Sequence, residues 1–100
     1  MKKLLMIFLS VMATVAIYAQ SVTVKGTVID ADNNEPLIGV SVVELGTTNG
    51  VVTDLDGNFA LTVKTGTKLQ LSYVGYSTEE VVVGKNSNLG TLTLKPEAVG

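Results

Sequence analysis

Two short stretches carry the oxygen-rich side chains that could do chemistry. Asp54-Leu55-Asp56-Gly57-Asn58 sets carboxylate and amide oxygens at alternate positions, and Asp30-Ala31-Asp32-Asn33-Asn34 does the same. The first half of a calcium loop presents its hard ligands in this way. A complete loop of that kind also needs a glycine at its sixth position and a bidentate acid at its twelfth. Those positions hold Phe59 and Thr65 in the first stretch, and Glu35 and Ser41 in the second. Both stretches therefore read as turns, in which Asp and Asn side chains bond to backbone two residues on. No metal ligand, cofactor-binding residue or catalytic residue is assigned.

Other chemistry is poorly supplied. The sequence has no His and no Cys, so it offers no imidazole base, no thiolate and no zinc site of the usual ligand set. The serines belong to no motif, and no acidic pair sits at a recognisable spacing. The chain is expected not to be an enzyme. Tyr73 and Tyr76 flank Gly75. They suit either a sugar-stacking platform or the edge of a core with the hydroxyls in water, and the second is preferred. Glu79-Glu80-Val81-Val82-Val83-Gly84 suits either a segment added as a strand to a partner or a strand of the domain itself. The domain strand is preferred, because Leu89 to Leu94 continues the pattern and would otherwise lose its neighbour.

The turns imply strands on either side of them. Val22, Val24, Gly26 and Val28 alternate with Thr23, Lys25 and Thr27, the pattern of a half-buried strand. Gly26 within it predicts a bulge or a close backbone approach. Val40-Ser-Val-Val43 is the second strand, and Asn49-Gly50 suits a tight hairpin to Val51-Val52-Thr53. Asp56-Gly57 is again a hairpin signal, leading to Phe59, Leu61 and Val63 on one face. Leu69 and Leu71, then Thr78 to Val83, then Leu89 to Leu94 complete about seven short strands, and Pro96 stops the last. Turn signals recur every 8–12 residues with no helical period, the pattern of an all-β sandwich. Phe59, Leu61, Leu69, Leu71 and Leu92 are the expected core.

Composition sets the bounds. One hundred residues allow one small domain. Met1-Lys2-Lys3 followed by an apolar run from Leu4 to Ile17 has the form of a signal peptide, with Ala19 as its last residue. From Gln20 onward five lysines face nine acidic residues, a net charge of −4, and there is no Arg. Nucleic acid is a poor partner for such a surface. The missing Cys excludes a disulfide framework and an acylated N-terminal cysteine.

Taken in order, Val24-Lys-Gly26-Thr-Val28, Pro36-Leu-Ile-Gly39-Val-Ser-Val42, Gly46-Thr-Thr, Thr53-Asp54-Leu-Asp56-Gly57-Asn-Phe59 and Leu71-Ser-Tyr73-Val-Gly75-Tyr76 form a recognisable series. Together they resemble the carboxypeptidase-D-regulatory-like domain. The version with Gly46-Thr-Thr and Tyr73-Val-Gly-Tyr76 is most similar to the N-terminal extension of SusC/RagA-type TonB-dependent outer-membrane transporters of Bacteroidetes. The resemblance covers about Val22 to Leu94. It implies a seven-stranded Greek-key, transthyretin-like (prealbumin-like) β-sandwich over residues 20–95, after a signal peptide at 1–19 and before a linker that begins at 96–100. It further implies a non-catalytic periplasmic domain of an outer-membrane nutrient importer of glycans or peptides. A plug and β-barrel in the same chain, TonB and a SusD-like lipoprotein are the implied partners. In such transporters the TonB-recognition segment follows the domain. An accessory domain of a secreted or surface peptidase or glycosidase, or a freestanding binding module, is the alternative.

Overall fold

The computed structural model describes residues 20–97. The expected leader and its cleavage bond lie outside the described residues. Seven strands appear in the order β1 Ser21–Asp30, β2 Ser41–Glu44, β3 Gly50–Val52, β4 Asn58–Lys64, β5 Lys68–Ser72, β6 Glu79–Val82 and β7 Asn88–Leu94. They form two sheets, β4-β1-β7 and β3-β2-β5-β6. Every pairing is antiparallel except β1 with β7, which is parallel. The all-β sandwich expected from the alternation is the observed fold. The Glu79–Val82 segment is an edge strand of the domain, paired with β5.

Alternation decides what fills the space between the sheets. Strand β4 buries Phe59, Leu61 and Val63 and exposes the residues between them, as the two-residue period of a strand dictates. β1 contributes Val24 and Val28, β2 Val42, and β5 Leu69 and Leu71. Leu37, Val40, Val83 and Leu94 complete the cluster. Of the expected core residues, Leu92 is only partly buried against the cluster, while Leu94 is fully buried. Leu92 and Leu94 share one face of β7, and burial along that face is complete only at Leu94. The pairing of β7 with β1 is itself irregular. Lys25 pairs with Asn88 and Gly26 with Gly90, so Leu89 is passed over. Gly26 also supplies the expected close approach, since a Cβ there would meet the Phe59 ring at 2.8 Å.

Two turns differ from expectation. Asp56-Gly57 does not close a hairpin, because β3 and β4 belong to different sheets. The turn is real, with Gly57 at φ 77°, but it carries the chain across the sandwich. Locally, a turn between paired strands and a turn between sheets demand the same residues. Asn49-Gly50 does lie in the β2–β3 connection, and β2 pairs with β3 as expected. However, Gly50 is already in β3, paired with Val43. The positive φ falls at Gly46 instead, in a longer loop closed by Glu44 N–H donating to Asn49 O at 2.9 Å.

Side chains from the second sheet close the outer edge of β4. Asn49 Nδ2 donates to Thr62 O at 2.8 Å, and Lys64 N–H donates to Glu44 Oε2 at 3.3 Å. Such coverage blunts an edge that would otherwise recruit a further strand.

Candidate functional site

The strand registers sort the loops onto two ends of the sandwich. The loops at 31–40, 53–57 and 73–78 share one end with the segment 95–97 that follows β7. The loops at 45–49, 65–67 and 83–87 lie at the other end, with Gln20. Both oxygen-rich stretches and both tyrosines of the described residues fall at the first end.

Asp54 is engaged with its own turn. Its Oδ1 accepts from Asp56 N–H at 3.0 Å and Asn58 N–H at 2.9 Å. Asp54 N–H in turn donates to Asn58 O. The turn is pressed against β1, where Val28 N–H donates to Gly57 O at 2.8 Å. A Cβ on Gly57 would meet Val28 O at 2.6 Å. Beside it, buried Thr53 accepts from Val40 N–H at 2.9 Å and donates to Leu37 O at 2.6 Å, which ties this loop to 31–40.

Asp30 engages its turn in the same manner and then reaches further. Its Oδ1 accepts from Asp32 N–H at 2.7 Å and Asn33 N–H at 3.3 Å. Its Oδ2 accepts from the Tyr76 hydroxyl at 2.5 Å. The Tyr76 hydroxyl bond holds the Asp30 carboxyl below the usual carboxylate range, helped by the two turn amides and opposed by burial. The same bond, with burial and the nearby carboxylates adding to it, pushes Tyr76 up to about 12. Tyr76 thus packs against the core as expected, but its hydroxyl is bonded to Asp30 rather than left to water. Tyr73 stacks at a tilt on Tyr76, with ring centroids 5.7 Å apart, and stays more exposed. Tyr76 is 46 residues from Asp30 in sequence, and no local signal announces the pair.

The segment after β7 is fastened to the same loop. Ser77 N–H donates to Lys95 O at 2.9 Å and Glu97 N–H donates to Gly75 O at 2.8 Å. Residues 95–97 therefore lie beside Tyr73-Val74-Gly75.

Charge divides between the ends. Asp32, Glu35, Asp54, Asp56, Glu79 and Glu97 are exposed at the first end, against Lys95. Lys64, Lys68 and Lys85 belong to the other end, where Lys68 approaches Glu80 at 4.0 Å. Within the acidic end stand Ile38, Leu55, Tyr73 and Val74, with Leu55 78% and Val74 93% exposed.

A separate open groove of about 640 Å³ runs past Lys25, Thr27, Asn58 and Thr91. Its floor is Gly26 and Phe59, and Thr27 Oγ1 donates to Asn58 Oδ1. Asp54 at its margin is already held by the turn. Among the described residues, no group of three or more acidic side chains could hold a metal ion. No described helix is long and apolar enough to cross a membrane. The acidic end and the groove are the described surfaces open to contact.

Comparison with known proteins bears on what those surfaces serve. A family model described as the CarboxypepD_reg-like domain matches residues 24–100. The TonB-dependent receptor SusC of Bacteroides thetaiotaomicron is 42% identical over 88 residues, which is 88% of this chain and 9% of that protein. A TonB-dependent receptor of Formosa agariphila is 41% identical over 95 residues, 94% of this chain and again 9% of the relative. The chain thus spans under a tenth of the length of the curated relatives it matches. Among solved structures, one cohesin–X-dockerin complex from Acetivibrio cellulolyticus aligns over 73% of this chain and 56% of that one, with TM-score 0.60 and 23% identity. That likeness is one of fold alone.

Proposed function

We infer, from a chain that belongs to the CarboxypepD_reg-like domain family, that it works as a non-catalytic domain at the N-terminal side of a SusC-type TonB-dependent importer. The observation that carries this reading is the SusC match over 88% of the chain. The physical features agree with it. Asp54 and Asp30 are bonded to the amides of their own turns, and the end that carries them exposes apolar and mostly acidic side chains. A seven-stranded sandwich cannot itself be a transport barrel, whose strands each need about 9–11 residues to span the membrane. Transport thus belongs to a plug and barrel elsewhere in a longer polypeptide. In this reading residues 1–19 are a cleaved leader, the domain runs to about residue 95 and faces the periplasm, and the importer takes up glycans or peptides. TonB and a SusD-like lipoprotein are the partners of the whole receptor.

Epitope-tagging the intact locus and fractionating the envelope tests the proposal. The tag is expected on a large outer-membrane protein that co-purifies with TonB. A soluble product the size of this domain, absent from the outer membrane, would defeat it. Intact-mass analysis of the envelope protein should also show that the mature chain begins at Gln20.

A further inference from the structure

We propose that the acidic end of the sandwich is a docking surface for the part of the same polypeptide that follows Glu97, and that this part presents an apolar contact ringed by Lys or Arg. The proposal rests on the receptor reading above. Three independent features meet at this end. The first is apolar exposure without a covering layer. Val74 stands 93% exposed beside Tyr73, whose ring lies near Gly39 next to the exposed Ile38, and Leu55 stands 78% exposed on the 53–57 loop at the same end. Such grouping on a small domain marks an interaction site more often than chance.

These loops are also held firmly in place. Thr53 joins the 31–40 and 53–57 loops. Asp30 fastens the 73–78 loop through Tyr76, and Tyr73 stacks on Tyr76. Gly39 lies against the Tyr73 ring, whose nearest atom would be 3.8 Å from a Cβ there. Apolar side chains on a pre-set frame lose little freedom when covered, so they favour binding over collapse.

The second feature is charge. The apolar residues share this end with six exposed carboxylates and one lysine, Lys95, while Lys64, Lys68 and Lys85 belong to the opposite end. A partner with a basic rim is attracted, and one with an acidic rim is repelled.

The third is the point of exit, which selects among occupants. Glu97 is bonded to Gly75, next to Val74. Whatever follows Glu97 starts at the edge of the patch. A short tether gives it an effective concentration in the millimolar range, which lets a modest contact be occupied most of the time. A second copy of the chain would bring a like-charged acidic rim against this one.

The experiment reads thiol reactivity, which the cysteine-free sequence makes clean in this domain. Val74→Cys reports on the docking end, and Val82→Cys, 63% exposed on β6, reports on a site away from it. Each is labelled with a maleimide in the purified tagged receptor and in the 100-residue chain. The position-74 thiol is expected to react at least tenfold more slowly in the receptor than in the short chain, with position 82 unchanged. Glu35→Lys with Asp56→Lys reverses the rim at two side chains that hold no turn together, and should restore most of the reactivity. Equal reactivity of position 74 in both proteins overturns the docking and leaves the receptor reading intact. A tagged product no longer than the domain defeats the receptor reading itself. Protection that also arises in the short chain and grows with its concentration assigns the patch to a second copy. Protection seen in cells but not in the purified receptor assigns it to a separate partner. Either of these two outcomes also overturns the proposal.

Discussion

The two Asp-rich turns present nearly the same side chains and are used differently. At Asp54 one carboxylate oxygen serves two backbone amides of its own turn, and nothing beyond. At Asp30 one oxygen does the same, and the other bonds Tyr76 across the fold. The Asp54 turn is instead held by its backbone, where Gly57 lies against Val28. Local turn chemistry is thus shared, and the tertiary anchor is a glycine contact in one case and a side-chain pair in the other. A sequence repeat of turn residues says where the chain bends but not which atom fastens the bend to the body.

The contrast breaks most sharply at Gly57. Gly57→Ala needs both a positive φ on an L residue and room beside the Val28 carbonyl, which is absent at 2.6 Å. It should cost roughly 2–5 kcal/mol in urea unfolding. Gly66→Ala is the matching control, with φ 89° and nothing within 4 Å. It should cost only about 1–2 kcal/mol. Equal losses at the two sites would mean that the contact with β1 is not what holds the turn.

The Asp30–Tyr76 pair sharpens the comparison through pH. A carboxyl held below its ordinary value adds stability that is present above about pH 4 and lost as the pH falls further. Tyr76, pushed up to about 12, adds stability that is present below about pH 10 and lost as the pH rises through 10 to 12. Melting temperatures across this range should therefore drop at both limits. In Tyr76→Phe the neutral-pH melting temperature should fall, and the alkaline drop should shrink. An unchanged alkaline limb in that variant would show that the pair does not contribute.

A smaller effect is expected at Asp54. Asp54→Ala removes two bonds to exposed backbone and should cost about 1 kcal/mol. A loss as large as that of Asp30→Ala would erase the distinction between a local cap and a tertiary tie. Calcium should have the least effect of all. With one oxygen of Asp54 and one of Asp30 held by turn amides, the other oxygen of Asp30 held by Tyr76, and neither turn carrying a complete ligand set, millimolar calcium should give no saturable heat on titration. A micromolar dissociation constant that vanished in Asp54→Ala would show that the turn had been misread.

The sequence by itself determined the strands, because burial in a sandwich repeats every two residues and turns need particular residue types. Phe59, Leu61 and Val63 are legible in the sequence as one face, and Gly26 as a place of close approach. The family, too, was legible from its ordered motifs. What stayed hidden was pairing. Asp56-Gly57 looks the same whether the next strand lies alongside or in the opposite sheet, because the turn answers to local dihedral angles and not to the destination of the chain. Asp30 and Tyr76 meet only because β1 ends where the β5–β6 loop begins, a fact of sheet order. The charge division has the same origin. The acids and lysines are plain in the sequence, but only the crossing of strands between two sheets gathers the acidic loops, Ile38, Leu55, Tyr73 and Val74, and the 95–97 segment at one end.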